Sequence, residues 1–168
     1  PDDKALVGNP VVRRNGPSTI LAAVDLSSAD DPLIPEVLAE TARLMATRGD
    51  SRLACITVLK TEILGSTPES DENGASIYLK RLVALKDCAR TLHLPDTRIS
   101  FHVLEAVAPA DAILNYARHN DVSHIVVGAR ASSAMRRHLG SVSTKIVAEA
   151  LCSVSVVRIK AAEEPAHA

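Results

Sequence analysis

The sequence predicts an α/β fold: one doubly wound domain whose five-stranded parallel sheet carries helices on both faces. Three observations predict it. Short apolar runs alternate with longer segments of helical periodicity from Thr19 to about Lys160. The runs Ile20–Val24, Leu53–Leu59 and Ile125–Val127 are apolar at almost every position, as strands buried on both faces must be. Each run is separated from the next by enough chain for a crossover helix, which parallel pairing requires. Right-handed crossovers leave a Rossmann-like topology, with the ligand site outside the carboxyl ends of the strands where strand order reverses.

The elements follow in order. Thr19–Asp25 is a short apolar run ending in an acid. The helix after it has Pro32 near its first turn, and Leu33, Val37, Leu38, Thr41, Leu44 and Met45 on one face, with Gly49 at the stop. Leu53–Leu59 is the second strand. Thr61–Ala75, with Gly65, Pro68, Asp71 and Gly74, reads as a long surface loop. Ile77–Leu92 has helical periodicity through Leu79, Leu82, Val83, Lys86 and Ala89. Arg98–Leu104 is a strand, Pro109 opens a helix through Ile113, Leu114 and Ala117, and His124–Gly128 is the fourth strand. Ser141–Ala150 and Ser153–Ile159 are the last helix and strand. Residues 1–18, with Gly8, Pro10, Gly16 and Pro17, read as a linker, and 161–168 as a disordered tail, leaving one domain over 19–160. A start at Pro rather than Met fits a piece cut from something longer.

Composition narrows the function classes. The 168 residues suit one domain with its own core. Aromatic residues make up only 2% and the formal charge is −1, which argues against a nucleic-acid binder. No apolar run reaches the length of a membrane span, and no secretory signal pattern is seen, so no membrane partner and a cytoplasmic location are expected. Cys55, Cys88 and Cys152 are odd in number and lie in apolar surroundings, and read as reduced core thiols.

The most informative stretch is Ile125–Ser143. An apolar run ends at Gly128; a loop of small residues carries Arg130, Arg136 and Arg137; Gly140 and Ser141 then open a helix. Strand, basic loop and helix N-terminus, in that order, supply the outward N–H groups and the dipole that a phosphate needs. Asp25 is either a cap for the following helix or an acceptor for a base or ribose. Gly128 is either a turn residue or a place of close ligand approach. The arginines are either a solvated loop or phosphate partners. Gly140–Ser141 serves a cap and a phosphate equally well. The glycine-rich dinucleotide and triphosphate loops, the G-x-S-x-G elbow and H-E-x-x-H are absent, and the six histidines are scattered. Nothing resembles an activated nucleophile or an acid–base pair.

These residues resemble the universal stress protein family over nearly the whole of 19–160. The resemblance rests on Ile20–Ser27, Ile56–Val58, His124–Arg130, Leu139–Ser143 and Cys152–Val157. It implies a five-stranded parallel sheet, a homodimer through the last strand and, in one branch, bound ATP with Mg2+. Carried over by position, Asp25 and Val58 would meet the adenine and ribose side, and Gly128 and Arg130 would lie along the ribose and phosphates. Gly140, Ser141, Val142 and Ser143 would hold the phosphates. Two departures stand out: Ala131 occupies the position of the pattern's second glycine, and the spacer to Gly140 is one residue short. The loop is also similar to modules fused to bacterial serine/threonine kinases, so a kinase domain in the same chain is a further partner implied.

Three functions follow as expectations: an ATP-binding regulatory or stress-response module acting as a dimer, a dimerisation module whose nucleotide site has decayed, or a slow nucleotide hydrolase. The first is preferred. ATP turnover is expected to be very slow or absent, because no acid, Gln or His can be placed beside a terminal phosphate.

Overall fold

A computed structural model of the protein describes residues 16–62, 70–71, 73–129 and 139–159. Apart from residues 16–18, the linker-like start and the tail lie outside them, as do most of the 61–75 loop and the loop from Arg130 to His138.

The elements run β1 (Thr19–Ala23), α1 (Leu33–Thr47), β2 (Arg52–Lys60), α2 (Ile77–Ala89), β3 (Ile99–Ala106), α3 (Pro109–His119), β4 (Val122–Gly128), α4 (Ser141–Glu149) and β5 (Ser153–Val157). Among the described residues the strands of the sheet pair in parallel throughout, and the strand order is β3-β2-β1-β4-β5. The predicted doubly wound sheet is therefore the observed one. β1 and β4 are neighbours, in register from Ile20 opposite His124 to Ala23 opposite Val127. The chain winds outward through α1 and α2 on one side of β1, then returns through α3 to β4 on the other side. The reversal of order falls between β1 and β4.

Alternation along the strands divides the core into two layers. Ile20, Ala22, Leu53, Cys55 and Val126 pack beneath α1 and α2. Leu21, Ala23, Ile56, Ile125 and Val127 pack beneath α3 and α4. Because the central strands serve both layers, they read as unbroken apolar runs.

Three local details differ from the sequence reading. β1 stops at Ala23, although the Val24 N–H still donates to the Ile56 carbonyl at 2.8 Å, so Asp25 lies just past the ladder. The helix expected over 77–92 ends at Ala89 and tightens into a 3-10 turn over Arg90–Leu92. Its buried face also differs. Leu85 and Ala89 are buried with Leu82 half-buried, whereas Leu79 and Val83 are each 57% exposed. Two overlapping apolar stripes share Leu82, and the one that meets the sheet runs through Leu85.

At the β5 edge a polar chain crosses three elements. The Ser155 hydroxyl donates to Glu40 Oε1 at 3.2 Å and lies 2.9 Å from His124 Nε2. Glu40 also holds Arg43 through two bonds, at 2.7 and 2.9 Å, and that bond to Arg43 keeps its carboxyl below the ordinary range. With the Ser155 proton committed to Glu40, His124 donates from Nε2, which leaves buried Nδ1 as an acceptor with no partner among the described residues. Protonation would place an N–H there with nothing to receive it. Burial, and then the nearby Arg48 charge, depress the His124 pKa against the opposing pull of Glu40. The folded pKa thus lies below the unfolded one. The stabilisation is present above the unfolded pKa, near 6.5, and is lost as pH falls through the folded value. His102 is depressed by burial and contributes in the same direction. His124→Asn is expected to flatten the stability–pH slope between pH 7 and 5, by up to about 1.4 kcal/mol per pH unit. Denaturant titrations at several pH values measure it, and an unchanged slope would exonerate His124.

Candidate functional site

A cleft of about 730 Å³ opens at the carboxyl ends of β1 and β4, where the strand order reverses. Its floor is apolar, with Ile56 and Val58 from β2, Val127 from β4 and Ile113 from α3. Asp25, Val58, Gly128 and Gly140–Ser143, which the sequence pointed to separately, all line it. Arg130 and Ala131 lie outside the described residues, with Arg136 and Arg137.

Asp25 is exposed, and its Oδ1 accepts the Ser27 N–H at 2.9 Å in a tight side-chain turn. It does not cap α1, which begins only at Leu33. Asp31 sits there instead, accepting the Leu33 N–H at 2.9 Å. Of the two readings of Asp25, the cap therefore fails on distance along the chain.

Gly128 is the last residue of β4, and the Ala129 N–H extends the ladder to the Val157 carbonyl at 2.8 Å. A Cβ on Gly128 would stand 3.3 Å from Leu33 Cδ1 and 3.4 Å from Val37 Cγ2. The missing side chain is thus on the α1 side, where it lets the helix sit close on the sheet. It also leaves the cleft wall at this point as bare backbone.

Gly140 is the N-cap of α4, at φ −63° and ψ 163°, and has no side chain to cover the first-turn amides. Ser141 is exposed and Val142 half-buried. Ser143 is only 1% exposed, and its hydroxyl donates to the Gly140 carbonyl at 3.1 Å. What Ser143 offers the cleft is its backbone, while the accessible hydroxyl is that of Ser141.

The structure adds residues that sequence reasoning did not single out. Lys60 from the end of β2, Arg81 from α2 and Lys145 from α4 line the cleft, as do Val107 and Ala108 ahead of α3 and Pro109 at its start. Arg81 also donates to the Leu26 carbonyl, tying α2 to the loop after β1. Lys145 carried one legible signal, its place four residues after Ser141. Arg81 carried none, because a long loop separates it from β2. No group of three or more His, Cys, Asp or Glu side chains able to hold a metal occurs among the described residues.

A parallel doubly wound sheet with an apolar cleft at its switch point, walled on one side by a helix N-terminus, defines an α/β ligand-binding domain. The family model of the universal stress protein family matches residues 17–158, and the chain belongs to that family. A universal stress protein of Methanothermobacter thermautotrophicus is 31% identical over 130 residues, covering 73% of this chain and 86% of its own. Solved structures agree in fold. A universal stress protein in complex with cAMP gives a TM-score of 0.59 at 19% identity, covering 85% of this chain and 98% of its own. The UspA protein of Lactobacillus plantarum gives 0.58 at 22%, covering 85% and 99%. A family member from Arabidopsis thaliana with AMP bound gives 0.56 at 19%, covering 90% and 97%.

Proposed function

We propose that the cleft binds an adenine nucleotide, ATP for preference, and that the protein is a regulatory stress-response module acting as a homodimer through β5. The observation that carries this reading is the convergence of Asp25, Val58, Gly128 and Gly140–Ser143 on one cleft beside the start of α4. The cAMP and AMP bound by two relatives support it. In this reading the apolar floor takes the base, Asp25 accepts from the nucleoside, and the amides of Ser141, Val142 and Ser143 receive phosphate oxygens with the help of the helix dipole. By the family resemblance Arg130, outside the described residues, would add charge along the phosphates. Ala131 brings a Cβ to the same loop. Mg2+ would enter with the nucleotide, held through its phosphates and water. The three free thiols fit a cytoplasmic setting, and no helix among the described residues is long and apolar enough to cross a membrane.

No residue is assigned to catalysis. Bound nucleotide then acts by favouring whichever loop arrangement it contacts better. Calorimetry with ATP and Mg2+ is expected to show saturable one-site binding. The absence of heat and of any thermal shift at millimolar ATP would leave the dimerisation module, which Ala131 favours, as the better reading.

A further inference from the structure

Lys145 lines the cleft but has no part in the nucleotide reading above. It follows Ser141 by four residues on α4, so the two side chains share one helix face. From that face the Lys145 side chain reaches across the cleft wall to α3. Its Nζ lies 2.7 Å from Asp111 Oδ1 on α3 and 4.0 Å from Glu149 on its own helix. The Asp111 contact holds the ammonium above the usual lysine range, so it carries its charge throughout the working pH range. Both members of the pair are half in water, with Lys145 41% and Asp111 47% exposed at the side chain. An exposed pair of this kind exchanges partners at little cost. Asp111 belongs to the first turn of α3, where the helix N-terminus stabilises a carboxylate whether or not the lysine stays.

We infer that Lys145 is a cationic latch that leaves Asp111 to bind the outer phosphates of a nucleotide, and so sets a preference for polyphosphate over monophosphate. The inference rests on the nucleotide reading of the cleft. A single phosphate seated on the α4 amides is already neutralised there. Additional phosphates would need a further cation in the cleft, and Lys145 lines its wall from α4 while reaching across to Asp111 on α3. Asp111 is then the competitor that the incoming anion displaces.

The test is calorimetry of the whole chain with ATP and with AMP, for wild type, Lys145→Gln and Asp111→Asn, with thermal unfolding of each protein alongside. Lys145→Gln is expected to weaken ATP about tenfold and to leave AMP within about twofold. Asp111→Asn is expected to tighten ATP about threefold, since it frees the lysine and removes a repelling carboxylate. That gain is a result a merely structural bridge cannot produce. Equal losses for ATP and AMP, no loss for ATP in Lys145→Gln, or a loss of ATP in Asp111→Asn would each overturn the latch while leaving the nucleotide reading intact. A wild-type protein that binds neither nucleotide would overturn both.

Discussion

Gly140→Val is expected to weaken ATP binding at least about a hundredfold, which is about 2.7 kcal/mol, while leaving the fold nearly as stable as before. Two facts about the residue separate the effects. Its backbone, at φ −63° and ψ 163°, is open to any residue, so a branched side chain adds no strain to the chain. Valine is a poorer N-cap than glycine, but the substitution lies outside the packed core, so a stability loss of about 1 kcal/mol is expected. The ligand meets a different situation. Gly140 lines the cleft beside the first turn of α4, and in the proposed nucleotide reading its lack of a Cβ leaves room for an anion to reach the amides that follow. Two methyl groups there stand in the path of the phosphates. Titration with ATP, paired with thermal unfolding, measures both quantities. A variant that binds ATP as tightly as wild type would move the phosphates to another part of the cleft.

Val156→Pro is expected to convert a dimer at micromolar concentration into a monomer, a loss of at least about a hundredfold in association. Among the described residues β5 is an edge strand of the sheet and pairs with β4 on one side alone. The Val157 carbonyl accepts from Ala129 across that ladder. Since N–H and C=O of one strand residue point the same way and successive residues alternate, Val156 directs its N–H to the open edge. Proline at 156 therefore removes a donor from the dimer side and none from the β4 ladder, a position at which edge strands tolerate it. An open edge with half-buried Val154 and Val156 is a surface that a second copy can cover. Light scattering or sedimentation of wild type and variant decides the matter. A monomeric wild type at micromolar concentration would count directly against the β5 interface.

The sequence carried the elements well wherever both faces of a segment are buried. Ile20–Ala23 and Ile125–Val127 lie at the sheet centre and have no polar alternation to confuse them, so runs and strands coincide. It carried less where a helix is half in water. α2 offers two apolar stripes one step apart, and only packing against β2 and β3 selects Leu85 over Leu79 and Val83. Gly128 illustrates a second limit. Its presence at a strand end was legible, but not that its missing Cβ faces Leu33 and Val37, because that depends on how closely α1 lies on the sheet.

What the sequence determined by itself is the alternation of strands and helices, the parallel sheet this alternation requires, and the strand–loop–helix order ending at Gly140 and Ser141. These are local properties, fixed by hydrophobic period and chain length between elements. The tertiary structure alone decided which ends meet. It set β1 beside β4, so that Asp25 and Gly128 share one cleft, although about a hundred residues separate them in the chain. It also brought Lys60, Arg81 and Lys145 to that cleft from three different elements, and set Asp111 against Lys145. The physical reason is that strand order comes from the winding of the crossovers and the burial of two core layers, and long-range juxtaposition leaves no periodic mark in the sequence.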